Sequence, residues 1–247
     1  MQNLNYGVIG NCSTAALISE KGAIEWLCFP EFDSPSVFAA ILDRQKGGHF
    51  GFKVTSDYKV TQSYVPHTNI LSTHFESEEG AFDVVDFMPC YPTSDGKDFY
   101  RPAEIYRYIR WAKGRPRMKV DYRPAPNYAR GKTIYNVTSQ YVETYSSAKN
   151  KDRQYLYSSL DLKKVVNHDE ITLEKDEFFL FSFNEKVIPV DIEREKLEYC
   201  RTLVYWLNWT DHAKRYTRYN EVIERSMLVL KLMTYRNGAV MAGRTHR

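Results

Sequence analysis

Between about residue 49 and residue 192 the chain is a succession of short apolar and aromatic runs separated by turn formers, and this rhythm restricts its fold more than any other feature. The runs fall at 50–54, 59–64, 70–77, 81–88, 103–111, 117–123, 133–138, 142–144, 154–159, 171–174 and 177–182. Runs of this length joined by turns predict antiparallel strands, and this many of them predict an all-β sandwich. The segment Glu104-Ile105-Tyr106-Arg107-Tyr108-Ile109-Arg110-Trp111 alternates with a period of two, the pattern of a sheet with one buried face. The 19 Tyr and 13 Phe favour the same pleated surfaces.

The two ends of the chain read differently. Residues 6–29 read as a compact hairpin turning at Glu20-Lys21-Gly22, with its last strand stopped by Pro30, which cannot donate to a ladder. Pro30-Glu31-Phe32-Asp33-Ser34-Pro35 is dense in turn formers and reads as a functional loop. Ser34 as a cap, Pro35 at the first helical position and Val37, Phe38, Ile41 and Leu42 behind them predict a short helix stopped by Gly47-Gly48. After Pro189, Leu197, Cys200, Leu203, Val204 and Leu207 recur every three or four residues and predict a helix over about 193–213. A second helix is expected over about 219–235, apolar at Val222, Ile223, Met227, Leu228, Leu230 and Leu232. Helices apolar on more than one side are usually enclosed, so the pair is expected to begin a helical layer that the chain does not finish. A small cap on the β domain is the other reading. The division expected is a β-sandwich over 1–192 and helices over 193–247.

Net charge is +3, too near balance to point to nucleic acid or an acidic surface. The basic stretch Arg107, Arg110, Lys113, Arg115, Arg117 and Lys119 reads as the wet face of a hairpin. Cys12, Cys28, Cys90 and Cys200 are far apart without a Cys-x-x-Cys, and read as buried free thiols. That reading, with no secretory start and no spanning apolar run, makes the protein cytoplasmic, with no membrane partner. The six histidines form no metal motif, no phosphate-cradling glycine turn precedes a helix, and neither a metal nor a cofactor is expected. Glu31 and Asp33 lie two residues apart beside Trp26, Phe29 and Phe32. They are candidate carboxylates for sugar chemistry, but solvated loop groups are far commoner than a catalytic pair. Trp26, Glu31 and Asp33 are therefore the candidate substrate-lining residues.

Gly10-Asn11, Thr14-Ala15-Ala16-Leu17-Ile18-Ser19 and the continuous run from Gly22-Ala23-Ile24-Glu25-Trp26 to Ser36-Val37-Phe38 together resemble the opening of bacterial glycoside hydrolase family 15 proteins, glucoamylase-like or trehalase-like. The resemblance continues through Tyr64, Pro66, Thr68-Asn69-Ile70-Leu71, Thr73, Asp86-Phe87-Met88-Pro89 and the stretch 101–110. Trp206-Leu207-Asn208-Trp209 and Arg225-Ser226 resemble the entry into that family's helical domain. The resemblance implies an N-terminal β-sandwich followed by an (α/α)6 barrel. Two barrel glutamates would act as acid and base with inversion on an α-glucoside or α-glucan. Those glutamates lie downstream of residue 247, so no catalytic residue is carried over. The basic ending Gly243-Arg244-Thr245-His246-Arg247 departs from the family pattern and suggests a truncated or shifted reading frame, or a chosen end. Three roles remain open: an inactive N-terminal portion of such a hydrolase, a stand-alone carbohydrate-binding sandwich, or a structural domain whose exposed helices favour a homo-oligomer.

Overall fold

The computed structural model describes residues 5–55, 57–148, 151–188, 190–235 and 238–241, and within them the chain is mainly β. The start at 1–4, the boundary at Pro189 and the basic tail at 243–247 lie outside the described residues. In chain order come β1 (Tyr6–Gly10), β2 (Ala15–Ser19), β3 (Ile24–Cys28), β4 (Ser36–Phe38) and β5 (His49–Lys53). Next are β6 (Lys59–Tyr64), β7 (Leu71–Ser77), β8 (Gly80–Phe87) and the small hairpin β9 (Tyr91–Pro92) and β10 (Phe99–Tyr100). Then follow β11 (Glu104–Gly114), β12 (Arg117–Arg123), β13 (Thr133–Val137), β14 (Val142–Ser146) and β15 (Gln154–Ser158). The remainder is α1 (Leu162–Asn167), β16 (Glu170–Thr172), β17 (Glu177–Phe183), α2 (Ile192–Asp211) and α3 (Asn220–Leu232).

Every strand pairing is antiparallel. One sheet runs β1-β2-β3-β5-β12-β16 with β4 on β3; the other runs β13-β14-β15-β17-β11-β8-β7-β6. The inner faces meet in a core rich in phenylalanine, where Phe50 packs edge-on against Phe179 and Phe75 stacks on Phe82 at 4.8 Å. The outer face of the second sheet is covered too. Val85, Phe87, Tyr106, Tyr108 and Leu180 pack there with Trp206 of α2 and Leu228 and Leu232 of α3. The molecule is thus layered sheet, sheet, helices, and the middle sheet is dry on both sides along β8, β17 and the first half of β11.

That layering corrects the one-sided reading of β11. All six residues from Glu104 to Ile109 are buried, alternating between the two cores. Arg107 belongs to the inner core and has no exposed side-chain surface, so it does not share the wet face of the other basic residues. Arg110, Lys113, Arg115 and Arg117 do lie on the surface, each paired with a carboxylate.

The helix expected over 35–46 is absent. Ser36 and Phe38 instead pair with Cys28 and Leu27, extending the first sheet. The Ala39 and Ala40 amides donate to the Gly47 and Gly48 carbonyls at 2.7 and 3.1 Å, so the segment folds back as a wide turn. Val37 and Phe38 suit a strand as well as a helix, and pairing with β3 decides between them. Gly47 marks a close backbone crossing rather than a helix stop, because a Cβ there would lie 2.2 Å from the Ala39 carbonyl oxygen. Ser34 caps no helix; its Oγ accepts from the Glu31 amide at 3.0 Å.

The terminal helices form close to where expected, but α2 turns its other face inward. It buries Glu195, Glu198, Thr202, Tyr205, Trp206 and Thr210. Of the apolar stripe read from the sequence, Leu197, Val204 and Leu207 point outward, 48%, 63% and 40% exposed, Cys200 is exposed rather than a buried thiol, and only Leu203 packs against the second core. On α3, Leu228 and Leu232 are covered by the sheet while Val222 and Leu230 remain exposed.

Candidate functional site

The loop from Pro30 to Pro35 is a tightly held turn. The Phe32 amide donates to the Ser13 carbonyl at 3.0 Å, and the Ser34 amide donates to the Glu31 carbonyl at 3.1 Å. This projects Glu31 and Asp33 into solvent while Phe32 tucks edge-on against Tyr235, ring centres 5.8 Å apart. Burial raises the Tyr235 hydroxyl above the usual phenol range, and the charges of Asp33 and Glu31 add to it, so the two carboxylates gather around that ring. Trp26 stands apart on β3, half-buried and opposite Leu17. None of these three side chains lines the largest cavity.

That cavity is a groove of about 1400 Å³ between the β9–β10 hairpin, α2 and Met227 of α3. Its walls are aromatic, with Tyr91, Phe99, Tyr100, Tyr205 and Trp209, and its polar centre is Glu198. The Tyr91 hydroxyl donates to one Glu198 oxygen at 2.7 Å, and Arg201 reaches the other at 3.5 Å. Arg194 donates to the hydroxyls of Tyr106 and Tyr100 at 3.3 and 3.4 Å. Burial, then the charges of Glu104 and Glu198, push the Tyr100 hydroxyl up to about 12. Behind the groove, between α2 and the middle sheet, lies an acidic seam. Burial lifts the Glu104 carboxyl above the usual range despite a hydrogen bond from Tyr106. Glu195 is raised further, by burial first and then by Asp86, Glu198 and Glu104. Neither Glu195 carboxyl oxygen has a protein hydrogen-bond partner. Among the described residues no cluster of His, Cys, Asp and Glu is arranged to hold a metal ion.

Two polar joints connect the layers. Arg107 grips Asp86 with two hydrogen bonds, at 2.7 and 3.2 Å, and donates across the core to the carbonyls of Phe50 at 2.6 Å and Gly22 at 2.5 Å. Arg225 of α3 donates to the Thr68 carbonyl at 2.8 Å, hydrogen-bonds the Asn69 side chain and lies 3.9 Å over the Tyr64 ring. Asn69 in turn donates to the Leu228 carbonyl at 3.1 Å.

A family model described as "Trehalase-like, N-terminal" matches residues 5–150. The chain belongs to this trehalase-like N-terminal family. Over 91% of its length it is 29% identical to a trehalase of Thermoplasma acidophilum, covering 39% of that protein. It is 26% identical over 98% of its length to a trehalase of Mycolicibacterium smegmatis, again covering 39% of the relative. A shorter stretch of 85 residues is 51% identical to trehalase 1 of Sulfolobus acidocaldarius, 34% of this chain and 14% of that one. The chain thus spans about two fifths of the length of the trehalases it matches most extensively.

Several residues that carry the resemblance serve this trehalase-like domain as joints. Asp86 and the 101–110 stretch supply the Arg107 anchor, and Thr68-Asn69 and Arg225 stitch α3 to the β6–β7 turn. The groove residues Tyr91, Glu198 and Arg201 went unread. Asp95-Gly96 between Tyr91 and the pair Phe99-Tyr100 was a legible hairpin turn that would have placed Tyr91 beside Tyr100. Nothing local to the sequence joins that hairpin to Glu198, which is 107 positions from Tyr91.

Proposed function

We propose that this chain is the N-terminal portion of an inverting α-glucosidic hydrolase of glycoside hydrolase family 15, trehalase or glucoamylase in type, and that it turns over no sugar alone. The observation that carries the proposal is similarity to trehalases over nearly the whole chain. The exposed stripe of Leu197, Val204 and Leu207 supports it, because it is a ready face for further helices. So does the state of the carboxylates. Inversion needs an acid and a base about 6.5–9.5 Å apart across a sugar. Here Glu198 is committed to Tyr91 and Arg201, Glu104 to Tyr106, and Glu195 is enclosed. In this reading the acid and base come from the helical catalytic unit, and Trp26, Glu31 and Asp33 line the approach to it. The substrate is trehalose or a related α-glucoside. Action in the cytoplasm is part of the same proposal, in keeping with Cys12, Cys28 and Cys90, which are buried and in no disulfide.

The test is glucose release from trehalose, maltose and maltooligosaccharides by the chain on its own. No release above the blank is expected, and steady turnover would refute the proposal. Carbohydrate binding without catalysis is the second reading, favoured by the aromatic groove around Glu198. A saturable change in tryptophan fluorescence with millimolar trehalose, unaccompanied by glucose release, would favour it over a purely structural role.

A further inference from the structure

The sulfurs of Cys12 and Cys90 lie 4.0 Å apart. Both side chains are buried, and they come together from positions 78 residues apart. Cys12 sits in the turn between β1 and β2 with φ of 65°, a left-handed conformation uncommon for residues other than glycine. The turn is clamped around it. The Asn11 side chain accepts from the Ser13 and Thr14 amides, each at 3.1 Å, and donates to the Pro102 carbonyl at 2.8 Å. Cys90 follows β8 and directly precedes Tyr91, which lines the groove. Tyr205, another groove residue, belongs to the same buried cluster as Cys12 and Cys90.

We infer that Cys12 and Cys90 are an oxidation site at which hydrogen peroxide closes an intrachain disulfide between the β1–β2 turn and the segment after β8. The roles of the two sulfurs differ. Cys90 donates its S–H to Cys12, which lowers the Cys12 thiol; burial opposes this, and the charges of Lys231 and Arg101 favour the thiolate again. Cys12 is therefore the nucleophile. Its thiolate attacks a peroxide oxygen, an S–O bond forms, the O–O bond breaks, and the departing hydroxide takes up a proton as water. The Cys90 sulfur then attacks the Cys12 sulfenic acid. The S–S bond forms, the S–O bond breaks, and the second water leaves with the Cys90 proton. Two thiols and one peroxide give one disulfide and two waters. The sulfurs must close from 4.0 Å to about 2.05 Å, a short movement for two side chains already in contact. Oxidation also removes the Cys12 S–H that donates to the Lys231 carbonyl at 3.4 Å, so the bond forms at the foot of α3.

The experiment uses the full chain carrying Cys200→Ser, which removes the exposed thiol that would otherwise cross-link molecules. The chain is exposed to hydrogen peroxide, denatured, alkylated with N-ethylmaleimide and mapped by mass spectrometry. The expected result is loss of two hydrogens, protection of Cys12 and Cys90 from alkylation, and a peptide pair linking them that dithiothreitol separates. A further Cys90→Ser substitution should stop the reaction at a Cys12 sulfenic acid that dimedone traps. Full alkylation of both cysteines after peroxide, a bond to Cys28 instead, or sulfinic acid without any disulfide would each overturn the inference.

Discussion

Replacing Arg107 by Met should cost the fold about 4–6 kcal/mol, more than most single substitutions in a domain of this size. The magnitude follows from what the guanidinium holds. It pairs with Asp86 through two hydrogen bonds, and both side chains are wholly inaccessible. Removing one member of such a pair leaves an uncompensated buried charge, worth about 3–5 kcal/mol. The carbonyls of Phe50 and Gly22 would lose donors at 2.6 and 2.5 Å, adding about 1–3 kcal/mol if no water replaces them. The cation also lies 4.7 Å from the centres of both Phe50 and Phe52, a smaller contribution of about 0.5–2 kcal/mol. These terms share one side chain and will not add in full. Because Asp86 and Arg107 belong to one sheet and both carbonyl acceptors to the structure opposite, the loss should also loosen the sheets from each other. Guanidinium unfolding followed by tryptophan fluorescence and far-ultraviolet circular dichroism measures the cost. A paired variant, Asp86→Leu with Arg107→Met, should recover at least about 2 kcal/mol of the loss, since the stranded carboxylate is gone. If Arg107→Met shifts stability by less than about 1 kcal/mol, or the double variant is no better than the single, Arg107 is not the strut described.

Three other outcomes follow from the polar contacts. Glu195→Met should stabilise the chain by about 1–3 kcal/mol at neutral pH, because it removes a buried carboxyl without a protein hydrogen-bond partner. Glu195 has a raised folded-state pKa, so its contribution is intact below about pH 4 and is lost as pH rises through the higher folded value. The variant's advantage should therefore grow with pH, and a pH-independent difference would contradict this. Asp121 has the opposite sign. Burial alone would raise its carboxyl, but hydrogen bonds from Lys53, His49 and Arg123 hold it well below the usual range. Asp121→Asn should cost about 1–3 kcal/mol at pH 7, and the gap should close as pH falls below about 4 in acid titrations of stability. Asn69→Ala should release the Leu228 carbonyl and weaken the hold of Arg225, so amides of α3 should exchange faster by an amount equivalent to about 1–3 kcal/mol while those of the sheets are unchanged.

The strands were legible because alternation survives wherever one neighbour is solvent, as in β6, where exposed residues interleave with half-buried ones. β17 has no alternation, since Phe179, Phe181 and Phe183 face one core and Phe178 and Leu180 the other. It was found by its length and its aromatic content rather than by its period. Helix α1 went unread because six residues are too few to show helical spacing; it exists because Asp161 caps it and Val165 is buried against the core. The turn over 39–48 went unread because its hydrogen bonds depend on a close return of the backbone. The loop carrying Glu31 and Asp33 was legible as a loop, but Tyr235, the ring it gathers around, lies some two hundred residues away. The groove suffered the same limitation, since its members come from a hairpin, two helices and the connection between them.

The reversal of α2 shows why apolar periodicity is a weaker guide at this seam than elsewhere. A helix docking on area alone would press Leu197, Val204 and Leu207 against the sheet. The sheet face it meets carries hydroxyls, among them those of Tyr106 and Tyr157, together with the Glu104 carboxylate. Burying an aliphatic stripe there would take Arg194 from the Tyr106 and Tyr100 hydroxyls and Glu198 from Tyr91, at about 1–3 kcal/mol for each buried polar group left short of a partner. The observed orientation instead gives Arg194 to Tyr106 and Tyr100, and Glu198 to Tyr91, while Trp206 is fully buried in the second core. The enclosed Glu195 is the cost of that choice. The rotation of α2 is therefore set by hydrogen bonds, and its aliphatic stripe is outward because the inward positions are already specified by polar groups.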